Sequence, residues 1–202
     1  VIIRHRWWTA SGAVMQAVFR NPMASPYILG LSSGASLGAA VGLTFTVAWL
    51  PQMLMIPLLA FVSCMATLFL VYYISNIGGR VPTETLLLAG IAVGSLLSAL
   101  VSLLPYLAGE QMQGIVYWTM GSLSGLTWRR LAFAAAAAVP TIIFLHAFRW
   151  RVTVLSADEA VAASLGARPA MARAAVLAIA SAGVAAVVAM AGVVSWVGLV
   201  IP

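Results

Sequence analysis

Side chains able to do acid–base, nucleophilic or metal chemistry are scarce in this 202-residue sequence. Four are acidic, Glu84, Glu110, Asp158 and Glu159. The two histidines, His5 and His146, stand far apart near arginines, where a structural or interfacial role accounts for them. Nine methionines are scattered and the single cysteine, Cys64, lies within an apolar run, so neither a metal-ligand set nor a disulfide framework is spelled out. No Ser/His/Asp or Cys/His constellation has the spacing of a nucleophile and its base, and no G-x-x-x-x-G-K-[ST] loop is present. No catalytic residue, metal or cofactor is therefore expected on this chain. If ATP drives it, another chain binds the nucleotide.

The elements available to position these few groups are apolar helices. Hydrophobic residues make up 63% of the sequence and charged ones 7%, against roughly a quarter in an ordinary soluble domain. Runs of about 20 apolar residues, each able to cross roughly 30 Å of hydrocarbon, recur throughout. The spacing predicts spans over 28–50, 53–75, 85–108, 131–148 and 174–201. The first stretch, 7–19, covers roughly 20 Å and is expected to be part of a helix. The expected fold class is all-α, a polytopic transmembrane helical bundle, with one membrane domain over 1–202.

None of the four acids falls in the middle of an apolar run. A carrier driven by protons or sodium keeps a carboxylate at membrane depth as its relay, in spite of a cost of about 2.5–3.5 kcal/mol. Ion-coupled transport is thus disfavoured. All ten basic residues are arginine. On alternate sides of the membrane fall Arg20, Arg80, Arg149, Arg151, Arg168 and Arg173, against Arg4, Arg6, Arg129 and Arg130; the first set is assigned to the cytoplasm. No continuous basic block exists, and arginines anchored at headgroups explain the net charge of +6 without nucleic acid.

Small residues recur at every fourth position, Gly30, Gly34, Gly38 and Gly42 in one span and Gly90, Gly94, Ser98 and Ser102 in another. Such stripes let backbones approach in lipid and by themselves argue for a compact bundle. Residues 155–169 differ in kind. They form a short helix pattern over about 156–167, with Ser156 and Glu159 as a capping box, acids at the positive end of the dipole, and Gly166 and Pro169 as stops. A capped acidic helix on the cytoplasmic face is a handle for a partner.

These motifs resemble, in order, those of the permease family that imports iron-siderophores, haem and cobalamin, the FecCD or BtuC-like type II ABC importers. The blocks are Ser11 to Ala35, Leu86 to Gly94, Tyr117 to Leu123, and Gly192 through Val197-Gly-Leu-Val-Ile-Pro202; the acidic helix is similar to that family's coupling helix. The resemblance implies a transmembrane permease subunit that is not itself an enzyme, working as a homodimer or pseudo-dimer in the inner membrane. Its partners would be a separate ATPase carrying ATP and magnesium and an external substrate-binding protein. It further implies that this sequence is part of a longer permease, with segments missing before Ser11 and after Pro202.

Residue by residue, the resemblance implies that Asp158, Glu159, Ala162, Leu165 and Gly166 seat in the ATPase. Asn21, Met23, Thr83 and Glu84 fall at the family's cytoplasmic gate, although Asn21-Pro22 also suits a plain turn. The span from Thr85 to Leu104 would line the pathway, with Gly90, Gly94 and Ser98 giving a wide, weakly adhesive face. Arg4 and Arg6 would receive acidic knobs of the binding protein by bidentate contacts, although they lie closer to Ser11 than the family's arginines do. The cargo expected is an iron chelate, a siderophore or haem, with cobalamin or molybdate as alternatives within the family. A secondary carrier and a non-transporting membrane scaffold are the rivals from other classes.

Overall fold

The computed structural model describes residues 2–19, 21, 24–45, 51–78, 81–122, 127–148 and 169–193. Its elements are all helices: α1 (Ile2–Phe19), α2 (Leu31–Thr44), α3 (Gln52–Ser75), α4 (Thr83–Ala108), a 3₁₀ turn (Gly109–Gln111), α5 (Met112–Met120), α6 (Trp128–Ala147) and α7 (Pro169–Ala191). At 1.5 Å per residue the 24 residues of α3 and 26 of α4 are long enough to cross a bilayer. Residues 172–191 of α7 are comparably apolar, and α3, α4 and α7 share a mean hydropathy of 2.3 to 2.5. What separates them is burial. The apolar window of α7 is 61% buried inside the bundle, against 33% for α3 and 28% for α4. Helix α7 is therefore the central post, with Val176, Leu177, Ala180, Ala185 and Val188 in the core, and α3 and α4 expose broad apolar faces.

Helices α2 and α3 run antiparallel at backbone contact. Gly34 lies against Thr67 and the Ser63 carbonyl, Gly38 against the Leu59 carbonyl, and Gly42 against Leu59 and Ile56. Association in lipid depends on such close packing, because apolar surface gains little by leaving one hydrocarbon for another. Two hydroxyls of these helices are satisfied within their own helix: Thr67 donates to the Ser63 carbonyl at 2.8 Å and Thr44 to that of Ala40 at 2.8 Å.

The segment before α2 is not helical although it is buried, with Ala24 and Leu29 fully enclosed. It closes its own turns, the Ile28 amide donating to the Ser25 carbonyl and the Gly30 amide to that of Tyr27. Irregular backbone at this depth survives only where protein covers it, and α4 supplies the cover. A β-carbon at Gly90 would lie 2.5 Å from the Ile28 carbonyl oxygen, and Gly94 touches Gly30. Helix α2 thus starts alongside the middle of α4, and the described part of the predicted span 28–50, residues 28–45, is a buried turn followed by a 14-residue helix, residues 46–50 lying outside the described residues.

Three further boundaries differ from the sequence expectation. Helix α1 reaches back to Ile2 because Arg4, His5 and Arg6 lower hydropathy without opposing a helix. Residues 112–120, expected as part of a long connection, form α5. The run predicted over 174–201 begins at Pro169 and its helix stops at Ala191.

Candidate functional site

At one end of the bundle a single guanidinium joins three chain segments. Arg173 Nη1 donates to the Val81 carbonyl at 2.9 Å, while Nη2 donates to Thr83 Oγ1 at 2.8 Å and to the Val18 carbonyl at 3.3 Å. Val18 is in the last turn of α1, whose carbonyls have no intrahelical partner. Val81 and Thr83 flank Pro82, the N-cap residue of α4. Beside them Ser75, fully buried, donates to the Val71 carbonyl at 2.6 Å, closing the end of α3. Asn21 extends the same end of α1, its amide donating to the Gln16 carbonyl at 3.1 Å and its carbonyl accepting from Ala24 at 3.0 Å. The family resemblance groups Asn21, Thr83 and Glu84 at one gate; Arg173 ties the α1 terminus to Thr83, while Glu84 is exposed in the first turn of α4.

Arg173 is the residue that sequence reasoning passed over, as one arginine among six on that side. The signal available is positional. A cation near the N-terminal end of a helix, as at the fifth residue of α7, gains nothing from the dipole and needs acceptors from elsewhere.

Along α4, Gly90 and Gly94 are closed off by residues 28–30, so the face they occupy is a helix crossing and not an open surface. Ser98 is exposed and hydrogen-bonds the Ser33 hydroxyl at 2.9 Å. Ser95 and Ser102 share its exposed face, with Ile91 and Glu84 above them. The accessible surface of α4 therefore carries a stripe of small hydroxyls beside a stripe of large apolar residues, Leu88, Leu96, Leu103 and Tyr106.

At the opposite end the termini of α5 and α7 lock together. Gly121 and Gly192 both have positive φ, 68° and 78°, and each faces the other's chain. A β-carbon on Gly192 would meet the Trp118 carbonyl and the Gly121 Cα; one on Gly121 would meet the Val193 carbonyl. The Ser122 amide donates to the Ala191 carbonyl at 2.9 Å. Next to this junction a cleft of about 260 Å³ opens between Gln52, Ile56, Tyr117, Trp118 and Met190. Alanine at Gly192 combines a left-handed backbone with a carbonyl clash, and is expected to cost about 2 kcal/mol. Thermal unfolding of the purified variant checks this; a melting temperature equal to that of the parent would refute the junction.

Of the other sequence-predicted positions, Met23, Asp158, Glu159, Ala162, Leu165 and Gly166 lie outside the described residues. Arg4 and Arg6 lie on α1, in the half that leads away from the Arg173 end, with their side chains outside the described part.

This arrangement of helices is found in known transporters. The model of the FecCD transport family matches residues 9–202, nearly the whole chain. This chain belongs to the FecCD transport family. Members of that family are permease subunits, not enzymes, and the FecCD chain is a multi-pass inner-membrane protein with an all-α bundle. It is 40% identical over 194 residues to the cobalamin import system permease protein BtuC of Halobacterium salinarum, covering 95% of this chain and 51% of that protein. It is 35% identical to the molybdate import system permease protein MolB of Haemophilus influenzae, covering 95% of this chain and 56% of the other. Among solved structures it resembles one described as an inward-facing conformation of a metal-chelate type ABC transporter, with a TM-score of 0.88 and 32% identity over 97% of this chain and 62% of that one. The FecCD chain thus spans about half the length of the curated relatives it matches.

Proposed function

We propose that this FecCD chain forms part of the permease of an ATP-driven importer that moves an iron chelate, a siderophore or haem, across the inner membrane. The observation that carries the reading is the likeness to the metal-chelate type ABC transporter, a TM-score of 0.88 sustained over 97% of the chain. Cobalamin is the second reading, favoured by the 40% identical relative that bears its name. Charge placement supports a passive pathway driven from outside the chain: among the described residues Glu84 stands in the first turn of α4 and Arg173 at the fifth residue of α7, and no group of three His, Cys, Asp or Glu gathers to hold a bare metal ion. An ion-coupled carrier needs an ionisable relay deeper than either.

In this reading the chelate passes along the exposed hydroxyls of α4, Ser95, Ser98 and Ser102, which offer hydrogen bonds without a tight site. Gly90 and Gly94 act indirectly, by holding α4 against residues 28–30. Asn21, Met23, Thr83 and Glu84 form the cytoplasmic gate. Asp158, Glu159, Ala162, Leu165 and Gly166 seat in a separate ATPase that carries ATP and magnesium, and Arg4 and Arg6 receive acidic groups of an external binding protein. A second permease copy completes the pathway.

Transport in proteoliposomes tests the proposal. The full-length permease, its ATPase and its binding protein are supplied with haem, a ferric siderophore, cobalamin or molybdate. The expected result is ATP-dependent accumulation of an iron chelate. Uptake of cobalamin alone would favour the second reading, and uptake driven by a proton gradient without ATP would overturn both.

A further inference from the structure

Arg173 is placed in a way that membrane anchoring does not require. An arginine that anchors a helix end extends its head away from the bundle into the headgroup layer. Arg173 does the reverse. It is half-buried, and its planar fork turns onto the end of α1 and the start of α4, at 3.3, 2.9 and 2.8 Å from Val18, Val81 and Thr83. Two of its acceptors are backbone carbonyls and the third is the side-chain hydroxyl of Thr83, so the fork grips the turn around Pro82 both by its main chain and by the proposed gate residue itself. A rigid bidentate donor transmits displacement as well as affinity, because both of its nitrogens must move as one plane.

The chain order adds direction. Arg173 lies in the first turns of α7, and Pro169, where α7 begins, follows Gly166 by three residues. A push delivered to the preceding acidic segment thus enters α7 at the turn that holds Thr83. At its far end α7 is held against α5 through Gly121 and Gly192, which gives the post a fixed pivot.

We infer that Arg173 is a positioning residue that links the start of α7 to the Val81–Thr83 turn, so that movement of α7 carries the gate with it. The inference rests on the importer reading above. It assigns Arg173 no contact with cargo or nucleotide; its effect is on how closely hydrolysis and gating are tied.

The readout is therefore the number of ATP hydrolysed per cargo imported, measured in proteoliposomes holding the full-length permease, ATPase and binding protein. The cargo used is whichever of haem, a ferric siderophore, cobalamin and molybdate the unmodified complex imports. In Arg173→Gln, import is expected to fall by about tenfold while hydrolysis falls much less, a loss within the range carried by one coupling interaction. Arg173→Lys recovers part of the coupling, since an ammonium replaces one donor but not the fork. Thr83→Val keeps both carbonyl bonds and removes only the bond to the gate side chain, so it raises the ATP used per cargo by a smaller factor. If Arg173→Gln fails to assemble with the ATPase, Thr83→Val decides alone. A ratio equal to that of the parent in Thr83→Val, and in Arg173→Gln where it assembles, overturns the inference. Absence of ATP-driven import by the unmodified complex counts instead against the proposed function.

Discussion

Valine at Gly38 is expected to cost the bundle about 4 kcal/mol, beyond the usual range for overpacking, because the atom it meets cannot move aside. The β-carbon of any residue there falls on the carbonyl of Leu59 and presses on the Ser63 side chain. A flexible neighbour could swing away; the backbone of α3 yields only if the whole helix retreats. Retreat would separate α2 from α3 along the contacts of Gly34 and Gly42 as well, so the loss spreads over the crossing. Gly114 is the matching control, since an added β-carbon there meets only the Leu43 side-chain methyls, at 3.5 and 3.9 Å. Gly114→Ala should be neutral or slightly stabilising, since alanine is the better helix former. Melting temperatures followed by size-exclusion chromatography decide the matter, with a drop of roughly 10 °C expected for Gly38→Val. Equal melting of the two variants would mean that the α2–α3 contact is looser than described.

Reversal of charge at Glu159 is expected to abolish ATP-driven uptake while leaving the permease folded. The proposed coupling segment holds two of the four acids of the chain, Asp158 and Glu159, at the start of the capped helix that the sequence pattern predicts. Lysine at Glu159 removes the capping-box acceptor, opposes the helix dipole, and places a cation where the ATPase would meet an anion. Truncating one partner of a buried charge pair costs about 2–5 kcal/mol at an interface, and reversal adds repulsion, so uptake should fall by more than about tenfold. Co-purification of the ATPase with the parent and with Glu159→Lys, alongside uptake, gives the comparison. Normal uptake by the variant would remove Glu159 from the coupling role.

Composition was enough to identify lipid as the solvent and helices as the elements, since with 7% charged residues no water-facing surface can be built. The ordered blocks likewise carried the family, which the match over residues 9–202 bears out. Hydropathy misplaced elements wherever an apolar residue serves something other than a span. Residues 28–30 are as apolar as a helix yet form a turn, because Gly90 and Gly94 leave room for irregular backbone that α4 then shields. Gly192 stops α7 within an unbroken apolar run by taking a positive φ against Gly121, a contact between residues 71 positions apart in the numbering.

The four-residue stripe of α4 shows the same limit at the candidate site. Each step of four residues overshoots a helical turn by about 40°, so Gly90 and Ser102 differ by roughly 120° around the axis. One end of the stripe is consequently buried against the chain before α2, and the other, with Ser98 and Ser102, is open. Spacing alone reads as one face; packing divides it into a crossing and a surface. Arg173 is the sharpest case. Its residue type and rough depth follow from the order of the sequence, but its partners Val18, Val81 and Thr83 lie 90 to 155 residues away, and two of them contribute only a main-chain carbonyl that every residue possesses. No side-chain pattern can encode such acceptors, so the clamp appears only when three helix ends are brought to the same place.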